Sequence, residues 1–194
     1  MTRAGFSFTV ALLTTIAACG SGSGPTGPDV VPEAERGQHL QAAKTRLEEP
    51  AQLTDMAVSE FFALPTFPRA YTRSQLVQIS DLEARGARTV GYVARIRQMD
   101  DGDYHIQITQ APRGRCLDSD TRDQVITELT PGFQARKPAY TLAALRALCG
   151  TATQVRLSGW LLYDSPHSTD SDRGTPWEIH PVTFIELCCW RELQ

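Results

Sequence analysis

Five short strands closing into a small β-barrel, with a helix between the third and fourth, is the architecture that this sequence predicts. Three observations carry it. Apolar and polar residues alternate at period two in several short stretches spread over residues 89–187, the pattern of strands with two different faces. Turn residues such as Asp100-Asp101-Gly102 and Pro131-Gly132 separate those stretches at similar intervals. Between the third and fourth, residues 140–148 carry a helical pattern with Gly150 just past its end. Strand-strand-strand-helix-strand-strand is the order of the OB-fold, a five-stranded Greek-key barrel. An open α+β sandwich is the alternative, and short, evenly spaced strands favour the barrel.

The elements follow in chain order. Residues 33–64 read as helical: Leu40, Ala43 and Leu47 recur at helical spacing until Pro50, and Thr54 precedes a second short helix over 55–62. Pro65 and Pro68 end that region. Ser80 and Glu83 have the spacing of a capping box, which predicts about one helical turn at 81–85, with Gly86 as its left-handed C-cap. In residues 89–96, Val90, Tyr92, Ala94 and Ile96 alternate with Thr89, Gly91, Val93 and Arg95. After the Asp-Asp-Gly turn, Ile106 and Ile108 share one face of 104–109 while His105, Gln107 and Thr109 share the other, completing a hairpin. Residues 125–129 form the third strand, 155–163 the fourth and 177–187 the fifth. A polar loop, 164–176, joins the last two.

The N-terminus supplies an address. Arg3, an apolar run over 6–18 and small residues before Cys19 have the layout of a secretory signal, too short for a mature membrane span. Ile16-Ala17-Ala18-Cys19 resembles the bacterial lipobox. That resemblance implies cleavage before Cys19 and lipidation of its thiol. Gly/Ser-rich residues 20–28 then read as a flexible tether. Gly20, rather than Asp, favours an outer membrane over an inner one, facing the periplasm. The expected organisation is a signal peptide at 1–18, a tether at 19–32, a helical extension at 33–75 and the barrel domain at 76–190.

The chain has 194 residues and a net charge of −3. Cleavage would remove Arg3 and no acid. Such a mild acidic balance excludes a phosphate-neutralising basic surface, and so argues against nucleic acid as a partner. The expected partners are the membrane, through lipidated Cys19, and a protein of the envelope. Besides Cys19 there are Cys116, Cys149, Cys188 and Cys189. Export permits disulfides. Adjacent cysteines strain a mutual bond. Cys116 and Cys149 bracket one excursion of the chain and are the favoured pair, with Cys188 and Cys189 open. No C-x-x-C pair with structural-zinc spacing occurs.

Several short motifs recur as a set: Val90-Gly91-Tyr92-Val93, Asp103-Tyr104-His105-Ile106, the stretch from Gly159 to His167, and Trp177-Glu178-Ile179-His180-Pro181-Val182-Thr183. Together they resemble a group of small secreted bacterial proteins with an OB-like domain and Asp-x-His, Gly-x-x-x-x-Asp-x-x-His and Glu-(Ile/Leu)-His-Pro motifs. The resemblance spans about residues 76–190. It implies the barrel and an envelope location, and no activity.

Three of the four histidines lie in those motifs. Converging His105, His167 and His180, with Glu178 as a general base and Asp164 nearby, would suit zinc in a phosphoesterase-like hydrolase. Against this, the histidines lack any compact ligand spacing, H-E-x-x-H is absent, and a buried histidine can serve a structural network. Asp100, Asp101 and Asp103 around Gly102 lack the terminal Glu of a calcium loop. Arg173 is a candidate anion clamp. Trp160 and Trp177 are expected to pack together under the 164–176 loop or to offer a stacking platform. Walker A, Gly-x-Ser-x-Gly and Gly-x-Gly-x-x-Gly motifs are absent. The sequence therefore points to a lipid-anchored binding or scaffold module. The metal-dependent hydrolase is the main rival, and an accessory subunit docked through the N-terminal helices is a third reading.

Overall fold

A computed structural model describes residues 27 and 29–188 of the chain. The signal peptide, Cys19, most of the tether and Cys189 lie outside the described residues. The barrel strands are β2 (Gly86–Gln98), β3 (Tyr104–Thr109), β4 (Val125–Leu129), β5 (Gln154–Tyr163) and β6 (Trp177–Cys188), preceded by a short strand β1 (Leu53–Asp55). β2 pairs antiparallel with β3, β3 antiparallel with β4, β4 parallel with β6, and β6 antiparallel with β5. β5 returns antiparallel to β2 and closes the ring. Five strands in this mixed order, with helices between β4 and β5, form the OB-like barrel expected from the sequence.

The long first barrel strand serves two neighbours. Its N-terminal half pairs with β5 and its C-terminal half with β3. A bulge between Val93 and Arg95, just past the end of the β5 pairing, exchanges the inward face. Before it, Ala87, Thr89 and Val93 are buried; after it, Ala94 and Ile96 are. The single alternation expected over 89–96 therefore breaks, and Val90 is left 37% exposed.

The N-terminal region departs most from expectation. α1 (Glu33–Lys44) stops five residues short of Glu49, and Ala43 is its buried residue. Residues 53–55 become a strand instead of starting a helix. β1 runs parallel to Gly86–Arg88, and Arg88 Nη2 donates to Asp55 Oδ2 at 2.8 Å. The helix that follows, α2, is only Val58–Phe61. Next comes α3 (Arg73–Glu83), a full helix where one turn was expected. Thr72 is its N-cap, and Gln75, not Glu83, closes the box: Thr72 N donates to Gln75 Oε1 at 2.8 Å and Gln75 N to Thr72 Oγ1 at 3.3 Å. Glu83 turns inward, accepting from Tyr163 N at 2.9 Å and lying 2.7 Å from His39 Nε2. Gly86 is no left-handed cap. It opens β2, where a Cβ would lie 2.4 Å from Pro50 Cβ and 2.7 Å from Gln52 O, so the close pass of the chain before β1 demands glycine.

A further helix, α4 (Pro131–Arg136), stands where Pro131-Gly132 suggested a turn, and the expected helix at 140–148 is present but shorter, as α5 (Leu142–Arg146). Pro131 suits a first helical position, and Thr141 caps α5 by accepting from Ala144 N at 3.1 Å. Gly150 follows in the left-handed region, at φ 73°. Cys116 and Cys149 form a disulfide with Cα atoms 5.1 Å apart, as their bracketing positions suggested. Cys188 is buried at the end of β6.

One apolar core joins barrel and extension. Val31, Val58, Phe61, Phe67 and Tyr71 pack in the same cluster as Ile106, Val125, Leu157 and Ile179. An aromatic run, Phe67–Tyr163–Trp177, spans the two with centroid separations of 5.4 and 5.0 Å. The Tyr163 hydroxyl accepts from Phe67 N at 2.7 Å. No helix among the described residues is long and apolar enough to cross a membrane.

Candidate functional site

Alternation along the strands separates two chemistries. Ile106 and Ile108 on β3, Leu129 on β4, and Trp177 and Ile179 on β6 enter the core. The residues between them, His105 and Gln107, Glu128, and Glu178 and His180, therefore point to the opposite face. That face is also covered: His105, Gln107, Glu178 and His180 are at most 2% exposed. Register assembles them. His105 sits directly across from Glu128, and the β4–β6 pairing of Thr127 with Ile179 sets Glu128 beside Glu178 and His180. Asp103, at the entrance to β3, is buried at the rim.

A continuous polar network results. His105 Nδ1 and His180 Nδ1 lie 3.0 and 2.7 Å from the two oxygens of Glu128. Neither nitrogen makes an in-line hydrogen bond there. His180 Nε2 is 3.7 Å from Asp103 Oδ2, and its Nδ1 is 3.8 Å from Glu178 Oε2. Behind His105, Gln107 Nε2 lies 3.2 Å from His105 Nε2 and donates to Asp120 Oδ1 at 2.5 Å. Arg95 pairs with Asp120 in turn. On the other flank, Arg173 donates to Glu178 at 2.6 Å and to Asp164 at 3.0 Å. Lys44, at the end of α1, approaches Asp164 to 4.0 Å.

Proton affinities follow from this crowding. Burial raises the Glu128 carboxyl, but the contacts from His105 and His180 outweigh it and hold the group far below the usual carboxylate range. Burial alone would lower His180, yet Glu128 and Glu178 lift it to about 9. Asp103 rises to about 6 through burial, against the pull of His180. Asp164 rises to about 6 through burial and the neighbouring Glu178 charge.

The Asp164 shift has a definite sign. A carboxyl whose folded value exceeds its ordinary 3.8 keeps its proton in the native state where the unfolded chain has lost it. Its contribution to stability is then present below pH 3.8 and lost as pH rises towards 6. Asp164→Asn, which keeps an acceptor for Arg173, removes that dependence. The stability of the variant relative to the wild type should rise by on the order of 3 kcal/mol between pH 4 and pH 7. Urea melts at the two pH values check this, and an unchanged difference rules out the buried-charge penalty.

A cleft of about 480 Å³ opens over the network, with Asp103 and His180 in its floor. Gln41, Lys44 and Arg46 line one wall, Asp101 another, and Thr130, Pro131 and Gly132 a third.

The structure sorts the expected site residues. His105 and His180 come together through Glu128. His167 does not join them: it sits on a short 3-10 turn (Ser165–His167), its side chain 47% exposed, with Nδ1 2.6 Å from Asp170. The His105–His167–His180 zinc trio is therefore not formed. Among the described residues, the group whose ligand atoms all lie within 4.8 Å of one another is Asp103, Glu128 and His180. Glu178, the expected base, is 1% exposed and held by Arg173. Arg173 does clamp anions, but they are the chain's own Asp164 and Glu178. Trp160 and Trp177 are not a packed pair under the loop, nor a shared platform. Trp177 is fully buried and donates to Pro65 O at 2.8 Å. Trp160 donates to Glu48 O at 2.9 Å, with the Arg46 guanidinium 4.7 Å from its ring. Sequence reasoning missed Glu128 and Lys44. A lone acid in the apolar stretch Val125-Ile126-Thr127-Glu128-Leu129 was the available signal for the first; Lys44 carried none.

No family model matches the chain, and no curated protein matches it. Among solved structures, a chain of the S. pombe Stn1–Ten1 complex is similar at 14% identity and a TM-score of 0.31, over 53% of this chain and 57% of that one. An OBody bound to hen egg-white lysozyme is similar at 15% identity and a TM-score of 0.35, over 54% of this chain and 80% of that one. Likenesses at this level carry no argument about function, and the barrel assignment rests on the strand pairing itself.

Proposed function

We propose that this chain is a lipid-anchored envelope protein whose barrel is a binding module, taking a small polar ligand in the cleft between the end of α1 and the β3–β4–β6 face. One observation carries the reading: the floor of the cleft is made of Asp103 and His180, ionisable groups embedded in a buried network. Burying such groups costs stability, and a purely structural barrel has no need to aim them at a cavity. Cationic Lys44 lines the cleft together with acidic Asp101 and Asp103, which suits a ligand that carries both signs of charge, or an anion held beside a cation. The lipobox-like Ile16-Ala17-Ala18-Cys19 and the Gly/Ser tether support the envelope address.

The test is a heteronuclear NMR titration of the detergent-solubilised mature chain with a panel of amino acids, dicarboxylates and sugar phosphates. Binding should shift amides within 41–47, 101–103 and 130–132, and Thr130→Trp, which fills the cleft, should abolish those shifts while leaving the rest of the spectrum intact. A cleft silent to the whole panel would leave the chain a scaffold.

A further inference from the structure

We propose that Asp103, Glu128 and His180 bind one divalent transition-metal cation of the zinc class on the floor of this cleft. The inference deepens the binding-module reading and rests on its cleft.

Geometry comes first. One carboxylate oxygen each from Asp103 and Glu128 and one ring nitrogen of His180 lie within 4.8 Å of one another. Ligands bonded to a single zinc ion at about 2.0–2.2 Å sit up to about 4 Å apart, so small side-chain movements close the set. The three ligands come from different places, the β3 entrance, β4 and β6, and the register of a closed barrel holds them. Two carboxylate oxygens and an imidazole nitrogen form a mixed donor set that suits a borderline ion. Three protein ligands beside an open cleft leave a position for water or for an incoming ligand atom.

A second observation points into the same space. His180 is 1% exposed, and its Nδ1 has no hydrogen bond despite lying 2.7 Å from Glu128 Oε2. A proton shared between nitrogen and oxygen would lie on the line joining them. A bound cation would displace the proton that His180 holds and take up the freed nitrogen lone pair. Of the cations nearby, Arg173 is committed to Asp164 and Glu178, and Lys44 approaches Asp164.

The surroundings have the layout of support for a ligand. The Gln107 amide donates to Asp120 and faces His105 Nε2, which places the His105 proton on Nδ1, towards Glu128 Oε1 at 3.0 Å. His105 is thus a positioning residue: it orients Glu128 through a chain that ends at Asp120 and Arg95.

The experiment uses the mature full chain, stripped of metal, with zinc alone as the probe and magnesium as the comparison. Metal content and a competition titration should give one zinc per chain, with magnesium failing to displace it. Asp103→Asn and Glu128→Gln should each weaken zinc by tenfold or more, and His105→Gln by about tenfold. His167→Ala should leave the affinity unchanged. Cobalt substitution adds a spectroscopic readout, a visible band that shifts in Asp103→Asn. If Glu128→Gln fails to fold, Asp103→Asn at the rim decides. Zinc absent, or bound equally by Asp103→Asn and the wild type, overturns the site. Absent zinc with small-molecule shifts in the cleft defeats the metal and spares the binding module; absence of both defeats the two together.

Discussion

Arg173→Met lowers folding stability by about 3–5 kcal/mol, the loss that follows when one partner is removed from a buried ion pair. The substitution keeps an apolar stem of similar reach and deletes only the guanidinium. Asp164 and Glu178, 3.0 and 2.6 Å from Arg173 Nη1, are then buried without their counter-charge. Glu178 can neither reach water at 1% exposure nor escape the neighbouring Glu128 charge. Arg173 itself is 13% exposed, so solvent screens the pair little. The double variant Arg173→Met/Glu178→Gln should recover part of the loss, because a neutral amide tolerates the site better than an orphaned carboxylate. Urea unfolding of the two singles and the double gives the coupling directly. A single-variant loss below about 1 kcal/mol would place the network in the class of solvated surface pairs.

Trp177→Ala has a comparable expected cost, about 3–5 kcal/mol, by a different route. The indole is fully buried and stacks edge-on against Tyr163 at 5.0 Å. Its Nε1 donates to Pro65 O, tying the chain before α3 to the first residue of β6. Truncation opens a cavity and leaves that carbonyl without its donor. Trp177→Phe separates the two contributions, because it keeps most of the packing and loses the hydrogen bond; about 1–2 kcal/mol is expected for it. Thermal melts monitored by near-ultraviolet circular dichroism provide the measurement. A mild Trp177→Ala phenotype would restore an exposed role to this ring.

Residues 159–184 hold two of the histidine-bearing motifs, with His167 and His180, yet the two histidines have unrelated fates. His180 lies in a strand, where alternation puts it on the same face as Glu178. That was legible, because side-chain direction in a strand is a property of the local backbone. His167 lies in a polar loop. Its hydrogen-bonding partner, Asp170, is three residues away, so a contact within the loop itself fixes it. Both tryptophans follow the same division. Position in β6 sends Trp177 inward, while Trp160, half-buried, is positioned by Glu48 and Arg46 of the distant extension.

The sequence by itself determined the five strands, the hairpin at Asp100-Asp101-Gly102 and the order that defines the barrel, and it favoured the Cys116–Cys149 pairing, since each rests on local periodicity, turn chemistry or chain separation. One local signal misled: Ser80 and Glu83 have the spacing of a capping box, but Thr72 and Gln75 form the box, while Tyr163 N and His39 hold Glu83 inward. Tertiary structure alone decided the bulge that exchanges the faces of β2, the strand at 53–55, and the meeting of Asp103, Glu128 and His180. Those outcomes depend on which strands become neighbours, in what register, and what covers their outer face. Contacts among residues separated by tens of positions leave no periodic trace in the chain, because neighbouring residues in sequence have no part in setting them.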